Sequence, residues 1–285
     1  MESKGNDIDQ KKQTKEEEIK QDSDSIKDNQ EISEKLDLTK LKTLFAFDNS
    51  GSISGNSLYF NEILRIVRKY YKVGDKFYLW GHTYTELSKS QIDDWIKKMI
   101  GTEGTYPINI AKLAKESPNH REHLIIVTDG YANEGDVERC YNFLLCHNIK
   151  FKFVSVYNIG KEANLSVGFP FCKMSPFKII NILNKNQRVK GPSVDLETFE
   201  ALEKLYNISF EEFNNLYEKL YSAIKFHQLN GRENKILIYR LFIFKERIIK
   251  SLSEQQKNNF EEKFKELFRL ASRGTILCKL KFKNY

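Results

Sequence analysis

Long apolar segments are missing from this sequence of 285 residues. No run of about 18 uninterrupted apolar residues occurs, so the sequence predicts no membrane-spanning helix. The charged amino terminus, MESKGNDIDQKKQTKEEE, is not followed by an apolar stretch and does not resemble a signal peptide. We therefore expect an intracellular, cytoplasmic protein.

Cysteine pairs and phosphate-binding loops are also absent. The four cysteines are Cys140, Cys146, Cys172 and Cys278. They are scattered without CxxC spacing, which argues against a zinc cluster or a disulfide framework. We expect them to be reduced and mostly to pack in the core. No GxxxxGK segment occurs, so a P-loop for nucleotide phosphates is not indicated.

Charge is distributed unevenly along the chain. Residues 1–38 carry 12 acidic and 7 basic side chains, whereas the sequence from Lys178 onward carries 13 acidic and 21 basic ones. The basic carboxyl-terminal part is suited to nucleic acid, an acidic membrane surface or the acidic amino-terminal segment. A solvated helical surface explains the same composition, and the aromatic residues there fall at helical spacing, which is typical of a core.

Three regions follow from the composition and periodicity. Residues 1–38 contain no aromatic side chain and are predicted to form a disordered acidic tail. Residues 39–185 alternate buried-strand patterns with amphipathic helices, which predicts an α/β fold with a doubly wound, mostly parallel, Rossmann-like sheet. Residues 186–285 are predicted to be a basic helical extension, entered through the linker NKNQRVKGPSVD.

Individual segments support this division. YTELS is a candidate hairpin partner for the strand KFYLW. ILIYRLFIF suits either a strand or a fully buried helix, and the helix is favoured because helix-forming residues continue it. TILCKLKF is read as a final strand or an extended tail. Two capping boxes are predicted to begin helices, one at Ser88 with Gln91 and the other at Ser209 with Glu212.

The segment FDNSGSISG after the first predicted strand supports two functions. Asp48, Ser50 and Ser52 form DxSxS, three hard oxygen donors of the kind that Mg²⁺ prefers. The same two polar residues, Asp48 and Ser50, also suit helix capping. In another frame, Gly51 to Gly55 reads GxSxG, which would make Ser54 the nucleophile of a serine hydrolase.

The segments DNSGS, TEGTYPIN and IIVTDG, in this order after predicted elements, resemble those of the von Willebrand factor type A domain, in particular its intracellular versions. The resemblance covers about Leu41 to Leu183. It implies a metal-ion-dependent adhesion site that holds Mg²⁺ or Mn²⁺. By resemblance the ligands are the DxSxS residues Asp48, Ser50 and Ser52, together with Thr105 and Asp129.

An adhesion site of this kind implies a protein partner that presents a carboxylate to the metal ion. It supplies no general base or nucleophile, so we expect a binding module and not an enzyme. A scaffold with a vestigial metal site is an alternative, and so is nucleic-acid binding through the basic carboxyl-terminal part.

The hydrolase alternative has partial support. Asp129 and His147 follow Ser54 in the order that an α/β-hydrolase triad requires, but Asn49 and Ser50 separate the strand from the elbow and no HGGG-like segment precedes it. His82, in WGHT, is a second histidine at a predicted strand end.

One further loop is expected at the metal edge. It carries Phe169, Pro170 and Phe171, which would form either an exposed specificity patch beside the metal or anchors of the loop in the core.

Overall fold

A computed structural model describes residues 36–160, 165–227 and 231–272, with the side chains of 231–234 excepted. The predicted tail therefore lies outside the described residues except for its last three positions. The segment TILCKLKF, which includes Cys278, lies outside them as well. No helix in the part of the chain that the structure describes is both long and apolar enough to cross a membrane.

Seven strands form one sheet. They are β1 (Thr43–Asp48), β2 (Lys76–Trp80), β3 (Tyr84–Leu87), β4 (His123–Thr128), β5 (Phe153–Ile159), β6 (Phe177–Asn184) and β7 (Gln187–Val194). Their order is β3-β2-β1-β4-β5-β6-β7. Strands β2, β1, β4, β5 and β6 are parallel, and the two edge strands β3 and β7 are antiparallel to their neighbours. The predicted α/β, doubly wound and mostly parallel sheet is confirmed.

The α-helices of the described residues connect and cover these strands. They are α1 (Ser57–Tyr70), α2 (Lys89–Lys98), α3 (Ile108–Glu116), α4 (Glu134–Cys146), α5 (Phe169–Met174), α6 (Leu196–Glu203), α7 (Phe210–His227), α8 (Gly231–Ile248) and α9 (Glu254–Ser272). The segment ILIYRLFIF lies within α8, so its helical prediction is confirmed. The hairpin of β2 with YTELS is confirmed too, since residues of this segment form β3.

The two faces of the sheet have different covers. Helices α1 and α2 pack over β1, β2 and β4 on one face. Helices α3 to α5 cover the other face together with α6 to α9 from the carboxyl-terminal region, and these residues share one continuous apolar core. Many aromatic side chains of that region pack inside this core, as their helical spacing indicates, for example Phe213, Phe244 and Phe260, whereas Tyr239 and Phe242 are exposed.

The boundary after residue 185 needs a correction. Residues 187–194 form strand β7, which pairs with β6 along its length, so the boundary falls inside a β-hairpin and the supposed linker is mostly strand. The sequence hides this strand because its side chains are mainly polar and exposed, without an apolar stripe. The helices-only region begins at Leu196, with Asp195 capping α6.

Candidate metal centre

The order in which the chain adds strands to the sheet reverses between β1 and β4. From β1 the chain first adds strands on one side, β2 and β3, and then returns to add β4 on the other side. In an open α/β sheet this point leaves a crevice beyond the carboxyl ends of the two strands. Asp48 ends β1, and Thr128 ends β4 immediately before Asp129. The fold thus places both predicted acidic ligands at this crevice.

Asp48 is fully buried and held by several hydrogen bonds. Its Oδ1 accepts from the Ser50 backbone N–H at 2.8 Å, and its Oδ2 accepts from Thr128 Oγ1 at 2.6 Å. The buried Tyr59 hydroxyl donates to the backbone carbonyl of Asp48 at 2.8 Å and approaches the Val127 carbonyl at 3.1 Å. These contacts fix the carboxylate of Asp48 and join the ends of β1 and β4.

The two serines of the DxSxS segment connect Asp48 to Asp129. Ser50 Oγ and Ser52 Oγ lie 2.9 Å apart, and Ser52 Oγ donates to Asp129 Oδ1 at 2.8 Å. The segment Gly51–Ile53 forms a short 3₁₀ turn, which directs both hydroxyls toward the same crevice.

The threonine loop is attached to the same segment through its backbone. Asn49 O accepts from the N–H groups of Thr102 and Glu103, both at 2.9 Å, and Gly51 N–H donates to Glu103 O at 2.9 Å. Thr102 itself is exposed. Thr105 lies farther along this loop and reaches the crevice.

Gly130 shows how close Thr105 and Asp48 are. A Cβ atom at Gly130 would lie 3.0 Å from Thr105 Oγ1 and 3.1 Å from Asp48 Oδ2. Both oxygens therefore border the same point beside the Gly130 backbone, and a side chain there would crowd them. The structure brings together all five residues that the family resemblance implied as ligands.

Burial dominates the electrostatics of the two carboxylates. It raises the pKa of Asp48 to about 6, although hydrogen bonds from Thr128 and Ser50 oppose the increase. Burial also raises the pKa of Asp129, against the opposing hydrogen bond from Ser52. Two partly desolvated carboxylates that share one crevice are stabilised in their charged forms by a cation.

The donor set fits a hard divalent cation. It consists of two carboxylates and three hydroxyls, without nitrogen or sulfur, which suits Mg²⁺ or Mn²⁺ better than zinc. No cluster of three or more His, Cys, Asp or Glu side chains with metal-binding geometry is present in residues 36–160, 165–227 and 231–272. A site with few acidic ligands leaves room for an oxygen that the protein does not supply.

Ser54 has a different environment from the elbow serine of a hydrolase. Its Oγ donates to Gly101 O at 2.8 Å and accepts from Gly101 N–H at 3.0 Å. Asn56 caps α1 by accepting from Tyr59 N–H, so Ser54 does not cap this helix. His147 follows the end of α4, 3.5 Å from Lys115 Nζ, at the sheet edge away from Ser54.

The phenylalanines of the loop after β5 are core residues. Phe169 and Phe171 are buried in α5, and the Phe169 ring lies 5.4 Å from that of Phe226 in α7. The interpretation as an exposed patch beside the metal is therefore wrong, because the carboxyl-terminal helices cover this loop. His82 does lie near the threonine loop, with its ring 4.7 Å from that of Tyr106.

Three residues that support the site were not identified from the sequence. Thr128 and Tyr59 position Asp48, and Asn109 donates to the carbonyls of Gly81 and His82. Only Thr128 had a local signal, because it directly precedes the acidic residue in VTDG.

Comparisons with known proteins find similarity in structure. No protein-family model matches the chain, and no curated protein matches it. Among solved structures, the chain is similar to a von Willebrand factor type A protein from Catenulispora acidiphila, with a TM-score of 0.37 and 14% identity over 50% of this chain and 38% of that one. It is also similar to proximal thread matrix protein 1 from the mussel byssus, with a TM-score of 0.35 and 18% identity over 57% of this chain and 43% of that one.

This chain therefore covers less than half of either protein. The first of them is a protein of the class that the sequence motifs resemble.

Proposed function

We propose that the protein is a protein-binding module whose affinity depends on a divalent cation, Mg²⁺ or Mn²⁺. Asp48, Ser50, Ser52 and Thr105 would hold the ion directly, and Asp129 would act through a coordinated water or as a ligand itself. When bound, the ion acts as a hard Lewis acid that coordinates a carboxylate oxygen of the partner protein.

The observation that carries this proposal is the convergence of five oxygen-bearing side chains from three separate loops. Asp48 and Ser52 come from the loop after β1, Thr105 from the loop before α3, and Asp129 from the loop after β4. Contacts within 2.9 Å link Ser50, Ser52 and Asp129, and Thr128 holds Asp48 in place. Helix capping does not account for this arrangement, because Asn56 caps α1.

The same geometry favours binding over turnover. The Ser54 hydroxyl both donates to and accepts from the Gly101 backbone, and neither of these bonds involves a histidine or a carboxylate. Ser50 bonds to Ser52, and Ser52 donates to Asp129, so neither hydroxyl is paired with a histidine that could activate it, and both are available as ligand oxygens.

Calorimetric titration with Mg²⁺ tests the proposal. The parent protein should bind one ion, and Asp48→Asn should lose this binding because the negative charge is removed while the shape of the side chain is kept. Asp94→Asn, at an exposed acidic residue of α2, is the matched control and should bind like the parent. A parent protein that binds no divalent ion even with acetate present would contradict the metal site and favour a scaffold with a vestigial site.

Partner capture tests the second half of the proposal. The immobilised protein should retain a partner in Mg²⁺ and release it in chelator, and Asp48→Asn should retain none in either buffer. Retention that is the same in Mg²⁺ and chelator would show that the partner does not bind through the ion.

A further inference from the structure

A cavity lies on the α1 face of the sheet, toward the amino-terminal ends of β5 and β6. Its volume is about 380 Å³. It is bordered by the last turns of α1 on one side and by β5, β6 and β7 on the other. Asp48 lies at the carboxyl edge of the sheet, so this cavity is separate from the candidate metal centre.

The cavity is strongly basic. Among its described lining residues none carries a carboxylate, and five are cationic: Arg65, Lys69, Lys178, Arg188 and Lys190. The buried Glu62 of α1 pairs with two of these cations. It accepts from Arg65 Nε at 2.6 Å and from Arg188 Nη2 at 2.9 Å. Lys69 and Lys178 have no carboxylate partner among the described residues, so this part of the cavity keeps a positive charge.

Hydroxyl and ammonium groups meet inside the cavity. Lys178 Nζ lies 3.4 Å from the hydroxyl of Tyr70, and the hydroxyl of Tyr157 lies 3.5 Å from the same oxygen. Burial tends to raise the pKa of Tyr70, but the charges of Lys178 and Lys69 outweigh it and lower the pKa. Burial lowers the pKa of Lys178, and the neighbouring Lys69 and Arg65 lower it further. An anion would relieve this repulsion.

Most of the remaining lining is apolar. Leu36, Leu38 and Phe153 lie at the cavity, and Ile180 of β6 forms part of its wall. A ligand that fills the space therefore needs an anionic group with several acceptor oxygens and an organic part. Phosphate matches the cations better than a carboxylate, because it carries more charge and more acceptors, and arginine binds it through two parallel hydrogen bonds.

We propose that this cavity binds a small phosphate ester. Lys69, Lys178 and Arg188 hold the phosphate group, and the organic group packs against Phe153 and the leucine side chains. These three cations come from three different elements, α1, β6 and β7, so the site exists only in the folded sheet.

Titration of the full chain with phenyl phosphate and with inorganic phosphate, at constant ionic strength, tests the proposal. Phenyl phosphate should bind, and it should bind more tightly than inorganic phosphate because it also contacts the apolar wall. Lys178→Gln and Arg188→Gln should each weaken binding about tenfold, as expected for loss of one charged hydrogen bond. Lys69→Gln serves as an additional variant, since Lys69 is exposed and its replacement spares the core.

The matched control is Lys97→Gln, an exposed lysine of α2, which packs near the opposite edge of the sheet. It should bind phenyl phosphate like the parent. Absence of binding by the parent, or binding that all three cavity variants leave unchanged, would overturn the proposal.

The acidic amino-terminal segment calls for one more variant in the binding experiment. Leu36 lies at the cavity, and Glu16, Glu17 and Glu18 precede it in the sequence. Phosphate binding that emerges only after these three residues are changed to glutamine would overturn the proposal and assign the cavity to the chain's own carboxylates.

Discussion

Ser52 and Ser54 are two residues apart in the sequence but have different partners in the structure. Ser52 Oγ bonds to Asp129 and lies 2.9 Å from Ser50 Oγ, whereas Ser54 Oγ bonds only to the backbone of Gly101. The two frames of FDNSGSISG therefore correspond to two separate roles. Ser52 contributes to the crevice, and Ser54 joins its loop to the loop that contains Gly101.

This difference predicts opposite effects for two alanine substitutions. Ser52→Ala should weaken Mg²⁺ binding at least about tenfold, as the loss of a ligand or of its supporting bond does, with little change in stability. Ser54→Ala should leave Mg²⁺ binding unchanged and cost about 1–2 kcal/mol of stability, because two hydrogen bonds to Gly101 are lost. Calorimetric titration and denaturant unfolding of both variants make the comparison, and a reversed pattern would favour a catalytic Ser54.

His123 provides a second test at the scale of one residue. It is fully buried at the start of β4, with Nε2 at 2.8 Å from Ser155 Oγ. Burial, with a contribution from the charges of Lys178 and Lys72, lowers its pKa from 6.5 to about 3. The unfolded chain therefore binds a proton below about pH 6.5 that the folded chain does not bind until about pH 3. Stability should fall as the pH falls through this window.

The expected slope from this one histidine is about 1.4 kcal/mol per pH unit. His227, whose pKa burial also lowers to about 3, adds a similar slope, while Asp48, with its raised pKa, acts in the opposite sense between about pH 6 and pH 4. His123→Gln should make the loss between pH 6.5 and pH 5 about 2 kcal/mol smaller than in the parent. Urea unfolding in chelator at both pH values measures it, and an unchanged slope would show that His123 is accessible to protons.

At the scale of the element, both predicted capping boxes are present. Ser88 and Gln91 exchange side-chain and backbone hydrogen bonds at the start of α2, and Ser209 and Glu212 do the same at the start of α7. The two helices lie in different regions of the chain, so each box acts independently of the other.

Ser88→Ala and Ser209→Ala should each lower the free energy of unfolding by about 1 kcal/mol, because a capping hydroxyl is lost. The double variant should lose about the sum of the two, since the sites share no partner. Denaturant melts of the three variants test this, and a double variant equal to one of the single variants would show that α2 and α7 are not independent.

The elements were predictable from the sequence wherever apolar periodicity or capping is strong. The buried strands β1, β4 and β5, the helices α1 and α8, and the capping boxes all carry such local signals. Strand β7 does not, because it is exposed and contains Gly191 and Pro192, which read as a linker. Its partner β6 supplies the pairing that the local sequence does not show.

The candidate site was predictable to a similar extent. Asp48, Ser50 and Ser52 are visible because they are contiguous, whereas Thr105 and Asp129 were assigned only through the family resemblance. Tyr59 gives no local signal, because its role depends on the hydrogen bond that its hydroxyl makes to Asp48 after α1 has packed on the sheet. The burial of Phe169 likewise depends on Phe226, 57 positions later in the chain.

At the scale of the whole molecule, the carboxyl-terminal helices and the sheet share one core. Phe226 of α7 packs with its ring 4.6 Å from that of Phe177 in β6 and 5.4 Å from that of Phe169 in α5. The described helices α6 to α9 have no apolar cluster of their own, because their buried apolar residues belong to the same cluster as those on one face of the sheet. We therefore expect the two regions to unfold together.

Phe226→Ala should lower the free energy of unfolding by about 3–5 kcal/mol, because a buried aromatic side chain leaves a cavity at the junction. Circular dichroism and tryptophan fluorescence should still report one coincident transition, since Trp80 and Trp95 lie in the α/β part while much of the helix signal comes from α7 to α9. Two separated transitions in the parent protein would contradict a shared core.

Strand β7 has a consequence for how copies of the protein meet. It is the last of the described strands in the sheet, and none of them pairs with its outer side; such an edge is a template on which a strand of a second molecule can add. Here the edge strand carries Arg188 and Lys190, charged residues of the kind that discourage the addition of a further strand. Pro192 has no N–H to donate, which interrupts any continuous ladder. The strand that was hardest to recognise in the sequence thus protects the protein against aggregation through its sheet.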